Sequence, residues 1–117
     1  MNLTQVKKTL DATVLSAAPW EDVEVHSACG CDLMSDVLAF VKDQGLLLTG
    51  LVNPQVIRTA EMMDIHVIVF VRGKIPGEEI LALAESMDMV IMTTDHPLYT
   101  ACGLLYEQGL PGNARKE

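Results

Sequence analysis

The sequence predicts an α/β fold, a three-layer α/β/α sandwich with a largely parallel sheet. Three continuous apolar runs, residues 46–49, 67–71 and 89–93, have the length and composition of strands that are buried on both faces. They begin about every 22 residues, and amphipathic helical patterns lie between them. Strands joined by helices of this length imply right-handed crossovers, and therefore a parallel sheet covered by helices on two sides.

The elements before residue 46 are less regular. We expect a short helix from Leu3, Val6 and Leu10, a strand over residues 12–17, and a half-exposed edge strand over residues 22–26, where apolar and polar residues alternate. A further helix is expected after Asp32, and its apolar positions are Met34, Val37, Leu38 and Val41.

The helix boundaries in the second half are marked by capping residues. Asn53 precedes a proline at the first helical position, and Glu78 and Glu79 place negative charge in a first turn, where the helix dipole favours it. Pro97 marks the start of the last helix, and Gly109 is the residue expected to end it in a left-handed conformation.

The length of 117 residues predicts one domain over residues 1–110, followed by a polar tail at 111–117 that we expect to be disordered.

Sixteen acidic and eight basic residues give a formal charge of -8, which argues against nucleic acid or anionic membrane as a partner. The apolar runs are too short to span a bilayer, and no export signal is recognisable. Three cysteines, an odd number, favour the reducing cytoplasm.

Ligands of open α/β sheets bind beyond the carboxyl ends of the strands. The loops that follow the three apolar runs, residues 49–53, 72–74 and 93–96, are therefore the candidate binding loops. Arg72 and Lys74 are two of the three basic residues between Gln44 and Ala114, and they flank Gly73 in one of these loops. An anionic small molecule is therefore the expected ligand, and the alternative is a solvated turn without a ligand. The candidate ligand-binding residues are Thr49, Gly50, Asn53, Arg72, Gly73, Lys74, Thr93, Thr94 and His96.

Signatures of catalysis and of cofactors are missing from the sequence. Neither the P-loop pattern nor the dinucleotide-binding glycine pattern occurs, so we expect no enzymatic activity and no cofactor. His26, Cys29, Cys31 and Asp32 resemble part of a metal or redox site, but such a site normally needs further ligands. We favour small turn residues for the two cysteines, and a core position for Cys102.

Four stretches, residues 31–38, 48–50, 75–85 and 93–107, resemble the DRTGG domain family in the same order along the chain. The resemblance covers roughly residues 3–110 and extends to the N-terminal domain of HPr kinase/phosphorylase, a small three-layer α/β unit. It implies a regulatory or ligand-sensing module, because the active site of longer relatives lies in a partner domain. For Asp32, Ser35 and Asp36, helix capping is favoured over ligand contact.

Together these features predict a non-catalytic regulatory module that binds a small anionic ligand, with nucleotides as candidates. The apolar composition, with 50% hydrophobic residues, predicts that the module forms a homodimer. The alternative is an interaction module that assembles with a protein partner and binds no small ligand.

Overall fold

The computed structural model describes residues 1–35, 37 and 45–112. In chain order, its helices and strands are α1 (Leu3–Leu10), β1 (Thr13–Val14), β2 (Ala28–Gly30), β3 (Leu46–Thr49), α2 (Pro54–Met62), β4 (Val67–Phe70), α3 (Glu78–Ser86), β5 (Val90–Thr93) and α4 (Leu98–Glu107). The three strands predicted from apolar runs are therefore confirmed, with boundaries that shift by at most one residue, and helices lie between them as predicted.

The described strands form one five-stranded sheet in the order β1-β5-β4-β3-β2. Strands β2 to β5 are parallel, as the sequence predicts, whereas β1 pairs antiparallel with β5. In the register of the parallel strands, Thr49 lies beside Phe70 and Phe70 lies beside Thr93. The carboxyl ends of three successive strands therefore form one row across the sheet.

Alternate residues of the buried strands pack into two separate hydrophobic cores, one on each face of the sheet. Leu48, Val69 and Met92 pack in one core with α1 and α4, and Leu47, Ile68 and Ile91 pack in the other with α2 and α3. Both faces of the sheet are therefore covered, which explains why β3 and β4 are apolar at every position or nearly so. Helices α2 and α3 share one face because the strands that they connect are neighbours in sequence and in space.

The prediction of an edge strand over residues 22–26 is wrong. The Leu3 amide donates to the carbonyl of Val23, and the Val25 amide donates to the carbonyl of Met1, so this segment pairs with the N-terminus instead of the sheet. Apolar and polar residues do alternate in burial here, since Val25 is buried in the same core as α1. The alternation arises because the segment packs against α1 and not because it joins the sheet. The two edge strands of the described sheet are β1 and β2.

Two other expectations in the first half need correction or lie outside the described residues. The strand predicted over 12–17 is reduced to β1, because the Ser16 hydroxyl, and not a backbone carbonyl, accepts from the Ile91 amide. After Asp32, the residues 34, 35 and 37 are helical, whereas Asp36 and the predicted helical positions 38 and 41 lie outside the described residues.

Capping follows the sequence at two positions. The Asn53 side chain accepts from the Val56 amide at 3.1 Å, with Pro54 at the first position of α2. Gly109 has a φ of 100° and follows α4. Within residues 1–35, 37 and 45–112, no helix is long and apolar enough to cross a bilayer.

Candidate ligand-binding edge of the sheet

The loops that follow β3, β4 and β5 lie side by side at the carboxyl edge of the sheet. The Val71 amide donates to the Thr49 carbonyl at 3.1 Å, and the Thr94 amide donates to the Phe70 carbonyl at 2.9 Å. The parallel ladder thus continues one residue beyond the strands and carries the three loops together. We call this region, residues 49–53, 71–74 and 93–96 together with Asp32, the carboxyl edge.

The loop after β4 is a tight turn with two left-handed residues. Arg72 has a φ of 60° and Gly73 a φ of 68°, and the Lys74 amide donates to the Val71 carbonyl at 3.2 Å, as in a type I′ turn. The Arg72 amide donates to the carbonyl of His96, and the Gly73 amide donates to that of Thr94. All three amides of the turn are therefore used within the protein, and a ligand here would meet the exposed side chains of Arg72 and Lys74.

The Arg72 side chain crosses to the neighbouring loop. A Cβ atom added to Gly50 would lie 2.5 Å from the Arg72 Nη2 atom, which is closer than real Cβ contacts allow. The guanidinium therefore lies directly against the Gly50 backbone, and glycine at this position is what lets it approach. Arg72 and Gly50, which are distant in sequence, belong to one surface.

Asp32 joins the end of β2 to the same surface. One carboxylate oxygen accepts from the Gly50 amide at 2.7 Å and from the Thr49 hydroxyl at 3.0 Å. Sequence reasoning assigned Asp32 to helix capping or to a metal cluster, and it missed this link between loops. The available signal was its position directly after a strand that ends at the same edge.

A second carboxylate also lies at the carboxyl edge. A Cβ atom added to Gly73 would lie 3.0 Å from Oδ1 of Asp95, so the carboxylate sits over the turn. Asp95 was not among the predicted site residues, although it lies between two of them, Thr94 and His96. The edge therefore combines two cationic side chains with two anionic ones, Asp32 and Asp95.

Other predicted site residues form hydrogen bonds to groups of the same chain. The Thr93 hydroxyl donates to the Lys74 carbonyl at 2.7 Å, which ties the loop after β5 to the turn. Thr94 is only 2% exposed, and its hydroxyl donates to the Leu10 carbonyl at 2.7 Å, on the α1 side of the sheet. Asn53 caps α2. The structure therefore places these side chains beside the edge, with their polar groups bonded to the protein itself.

The cysteines lie on opposite sides of the sheet. Cys29 and Cys31 pack against the core of α2 and α3, whereas Cys102 packs with α4, where its Sγ atom covers Gly30. Burial raises the pKa of the Cys102 thiol. In the part of the chain that the structure describes, no three His, Cys, Asp or Glu side chains are grouped as a metal site requires.

A second surface, separate from the carboxyl edge, lies along the last helix, α4. A groove of about 1020 Å³ lies between α4 and the edge strand β2, and Tyr99 and Tyr106 beside it are 90% and 72% exposed. The exposed residues of this helix, which we call the α4 outer face, are Tyr99, Thr100, Gly103, Tyr106 and Glu107. The groove is lined by Ala28, Gly30, Leu48, Tyr99, Thr100, Cys102, Gly103, Leu104, Leu105, Tyr106, Glu107, Leu110, Pro111 and Gly112.

The fold is similar to that of a known regulatory structure. The chain superposes with a TM-score of 0.72 on the crystal structure of the CBS and DRTGG domains of the regulatory region of Clostridium perfringens pyrophosphatase, complexed with its activator, diadenosine tetraphosphate. The two sequences are 18% identical, and the match covers 96% of this chain and 48% of the other. No family model and no curated protein matches the chain. The likeness supports a DRTGG-like fold.

Proposed function

We propose that this protein is a non-catalytic regulatory domain of the cytoplasm, which binds a small anionic ligand of the nucleotide class at the carboxyl edge and forms a homodimer. The observation that carries the ligand proposal is the contact of the Arg72 guanidinium with Gly50. Through this contact, the exposed Arg72 guanidinium of a strongly acidic chain lies at the junction of neighbouring strand-end loops, and the exposed Lys74 belongs to the same turn.

The chemistry of the carboxyl edge favours a nucleotide over a bare phosphate. The guanidinium of Arg72 presents a planar set of donors that suits a phosphate group, and Lys74 adds a second positive charge. The carboxylates of Asp32 and Asp95 repel a simple anion, but they accept hydrogen bonds from ribose hydroxyl or base amino groups. A ligand that carries both phosphate and sugar can therefore bind the cations and the carboxylates of the carboxyl edge, whereas inorganic phosphate can bind only the cations.

The likeness to the pyrophosphatase regulatory region supports this proposal, because that region was crystallised with a nucleotide activator. This chain spans about half of the length of that structure. The regulatory role and the nucleotide class therefore enter here as proposals about this chain.

The test is binding of ATP, ADP, AMP and diadenosine tetraphosphate, measured by calorimetry and by the thermal shift of unfolding. A ligand at about 100 times its dissociation constant stabilises the folded protein by roughly 2.7 kcal/mol. We expect Arg72→Asn to weaken binding by about tenfold or more, because asparagine tolerates the left-handed backbone but removes the guanidinium. Lys74→Gln should weaken it less, since an ammonium group contributes as a point charge.

Arg58→Gln is the matched control, because Arg58 is the third basic residue between Gln44 and Ala114 and is exposed on α2 instead of in the turn. Equal weakening by Arg58→Gln and Arg72→Asn would mean that net charge, and not the carboxyl edge, controls binding. If none of the four nucleotides binds or shifts unfolding, the ligand proposal is wrong.

The second candidate function is an interaction module that binds no small ligand, and the exposed tyrosines of the α4 outer face favour it. The two functions separate through the same variants. If Arg72→Asn and Lys74→Gln leave every measured property unchanged while association depends on α4, the interaction module is the better description.

A further inference from the structure

The α4 outer face differs in charge from the exposed faces of the other described helices. Arg58 and Glu61 are exposed on α2, and Glu78, Glu79 and Glu85 are exposed on α3. On α4, the only charged residue is Glu107, at its last position. Helices that face water normally carry polar and charged residues on the outside, so this face has the character of a covered surface.

Gly103 lies at the centre of this face, and nothing in the described chain explains it. Glycine inside a helix lowers helix stability relative to alanine. A Cβ atom added at this position would meet no atom within 4 Å, so no neighbouring element of the same chain requires the space. A glycine that its own chain does not need is consistent with the close approach of a second backbone.

We propose that the α4 outer face is the contact surface between two copies of this chain, with the two α4 helices packed antiparallel about a two-fold axis at Gly103. This inference rests on the homodimer of the proposed function and names the surface that forms it. A two-fold contact must be self-complementary, so that any contact between two different residues of the two copies occurs twice, once on each side of the axis.

The spacing of the tyrosines meets this requirement. Tyr99 precedes Gly103 by four residues and Tyr106 follows it by three, so both lie on the same side of the helix as the glycine. When two such helices run antiparallel, Tyr99 of one copy faces Tyr106 of the partner subunit, and the same pair recurs across the axis. The groove between α4 and β2, which both tyrosines line, provides space for the incoming rings.

The buried area is of the size that a dimer needs. A tyrosine buries about 150–250 Å² when it is covered, so four of them contribute roughly 600–1000 Å². Stable interfaces bury about 1,200–2,000 Å² in total. The tyrosines therefore supply about half of this area, and the remainder is available from Thr100, Leu104 and the apolar wall of the groove.

The charges also favour this face over other surfaces. Each copy carries a formal charge of -8, which opposes contact through acidic surfaces such as that of α3. In the antiparallel arrangement, Glu107 comes to the first turn of the other α4 helix. That turn begins at Pro97 without a side-chain cap and contains no acidic residue, and a carboxylate is stabilised at such a helix start.

Analytical ultracentrifugation over a range of protein concentrations tests the inference. We expect the wild-type protein to dimerise, and we expect Gly103→Leu and the double variant Tyr99→Ala, Tyr106→Ala to raise the dimer dissociation constant by tenfold or more. Gly103→Ala should raise it as well, although alanine favours the helix, because the added methyl group keeps the two backbones apart.

Met62→Ala is the control, since Met62 is a large apolar side chain that is 70% exposed on α2. Circular dichroism is used to check that each variant is folded. A wild-type protein that stays monomeric contradicts both the homodimer and this surface. A wild-type dimer that is insensitive to all three α4 variants contradicts the surface alone, and stronger dimerisation of Gly103→Ala contradicts the close crossing at Gly103. Nucleotide binding is measured separately, so the ligand proposal can fail or stand independently.

Discussion

Two glycines, Gly50 at the carboxyl edge and Gly103 on α4, mark two surfaces of different character. A side chain at Gly50 would collide with the Arg72 guanidinium, whereas a side chain at Gly103 would point into open space. At the carboxyl edge, polar groups are bonded to one another across three loops. On the α4 outer face, the exposed groups make few contacts with their own chain.

This difference indicates how each surface can act. The carboxyl edge is held together by its own hydrogen bonds, so a ligand there would meet the exposed side chains of Arg72, Lys74, Asp32 and Asp95. Among the described residues, the α4 outer face is exposed and packs little against the rest of the chain, and the proposed dimer assigns its residue types to a contact with a second copy. Three pairs of substitutions, each with one member on either surface, test this contrast in protein diluted below any self-association.

The largest difference is expected for two threonines. Thr94→Val should lower the free energy of unfolding by about 1–3 kcal/mol, because the buried Leu10 carbonyl loses the donor that it has at 2.7 Å. Thr100→Val on the exposed α4 face should change it by less than about 0.5 kcal/mol. Urea denaturation measures both values. Thr94→Ser keeps the hydroxyl and should restore most of the loss. Equal effects of the two valine variants would refute a structural role for the Thr94 hydroxyl.

A smaller difference is expected for two carboxylates. Asp32→Ala should cost about 1–2 kcal/mol, since the Gly50 amide and the Thr49 hydroxyl lose a charged acceptor that is itself partly open to water. Glu107→Ala should be neutral or slightly stabilising, because a negative charge at the C-terminal end of a helix is unfavourable in the monomer. Thermal and urea unfolding give the comparison. A neutral Asp32→Ala would show that the two bonds do not hold the loops together.

Among the carboxyl-edge variants, the smallest effect on stability is expected for Gly50→Ala, which should change the free energy of unfolding by less than about 1 kcal/mol. The atom that the new methyl group meets is the end of a flexible side chain, so the guanidinium can move away. This movement should nevertheless weaken nucleotide binding severalfold, as measured by calorimetry. Gly103→Ala provides the comparison, because it should leave nucleotide affinity unchanged. If Gly50→Ala binds as the wild type does, the position of the guanidinium over Gly50 is not required.

Much of the fold could be predicted from local patterns. Strands that are buried on both faces must be apolar throughout, so β3, β4 and β5 stand out in the sequence. Asn53 and Gly109 mark helix ends for reasons confined to a few bonds around them. The parallel direction follows from the helices between the strands, and it brings the predicted loops to one edge.

The remaining features depend on contacts between distant parts of the chain. The alternation over residues 22–26 is the same whether the segment joins the sheet or lies on α1, and only the pairing with Met1 and Leu3 distinguishes the two. The roles of Asp32 and Thr94 likewise depend on partners that are 18 and 84 residues away. Their residue types are compatible with capping, ligand binding or structural bonding, and spacing alone does not decide among these.

The segment after α4 affects how copies of this protein can meet. The Pro111 carbonyl accepts from the Ala28 amide at 2.9 Å and so occupies part of the outer side of β2. Proline has no amide hydrogen of its own to offer to a further strand. Pairing of a further strand with β2 is therefore opposed at Ala28, so a second copy cannot extend the sheet at this position without displacing Pro111.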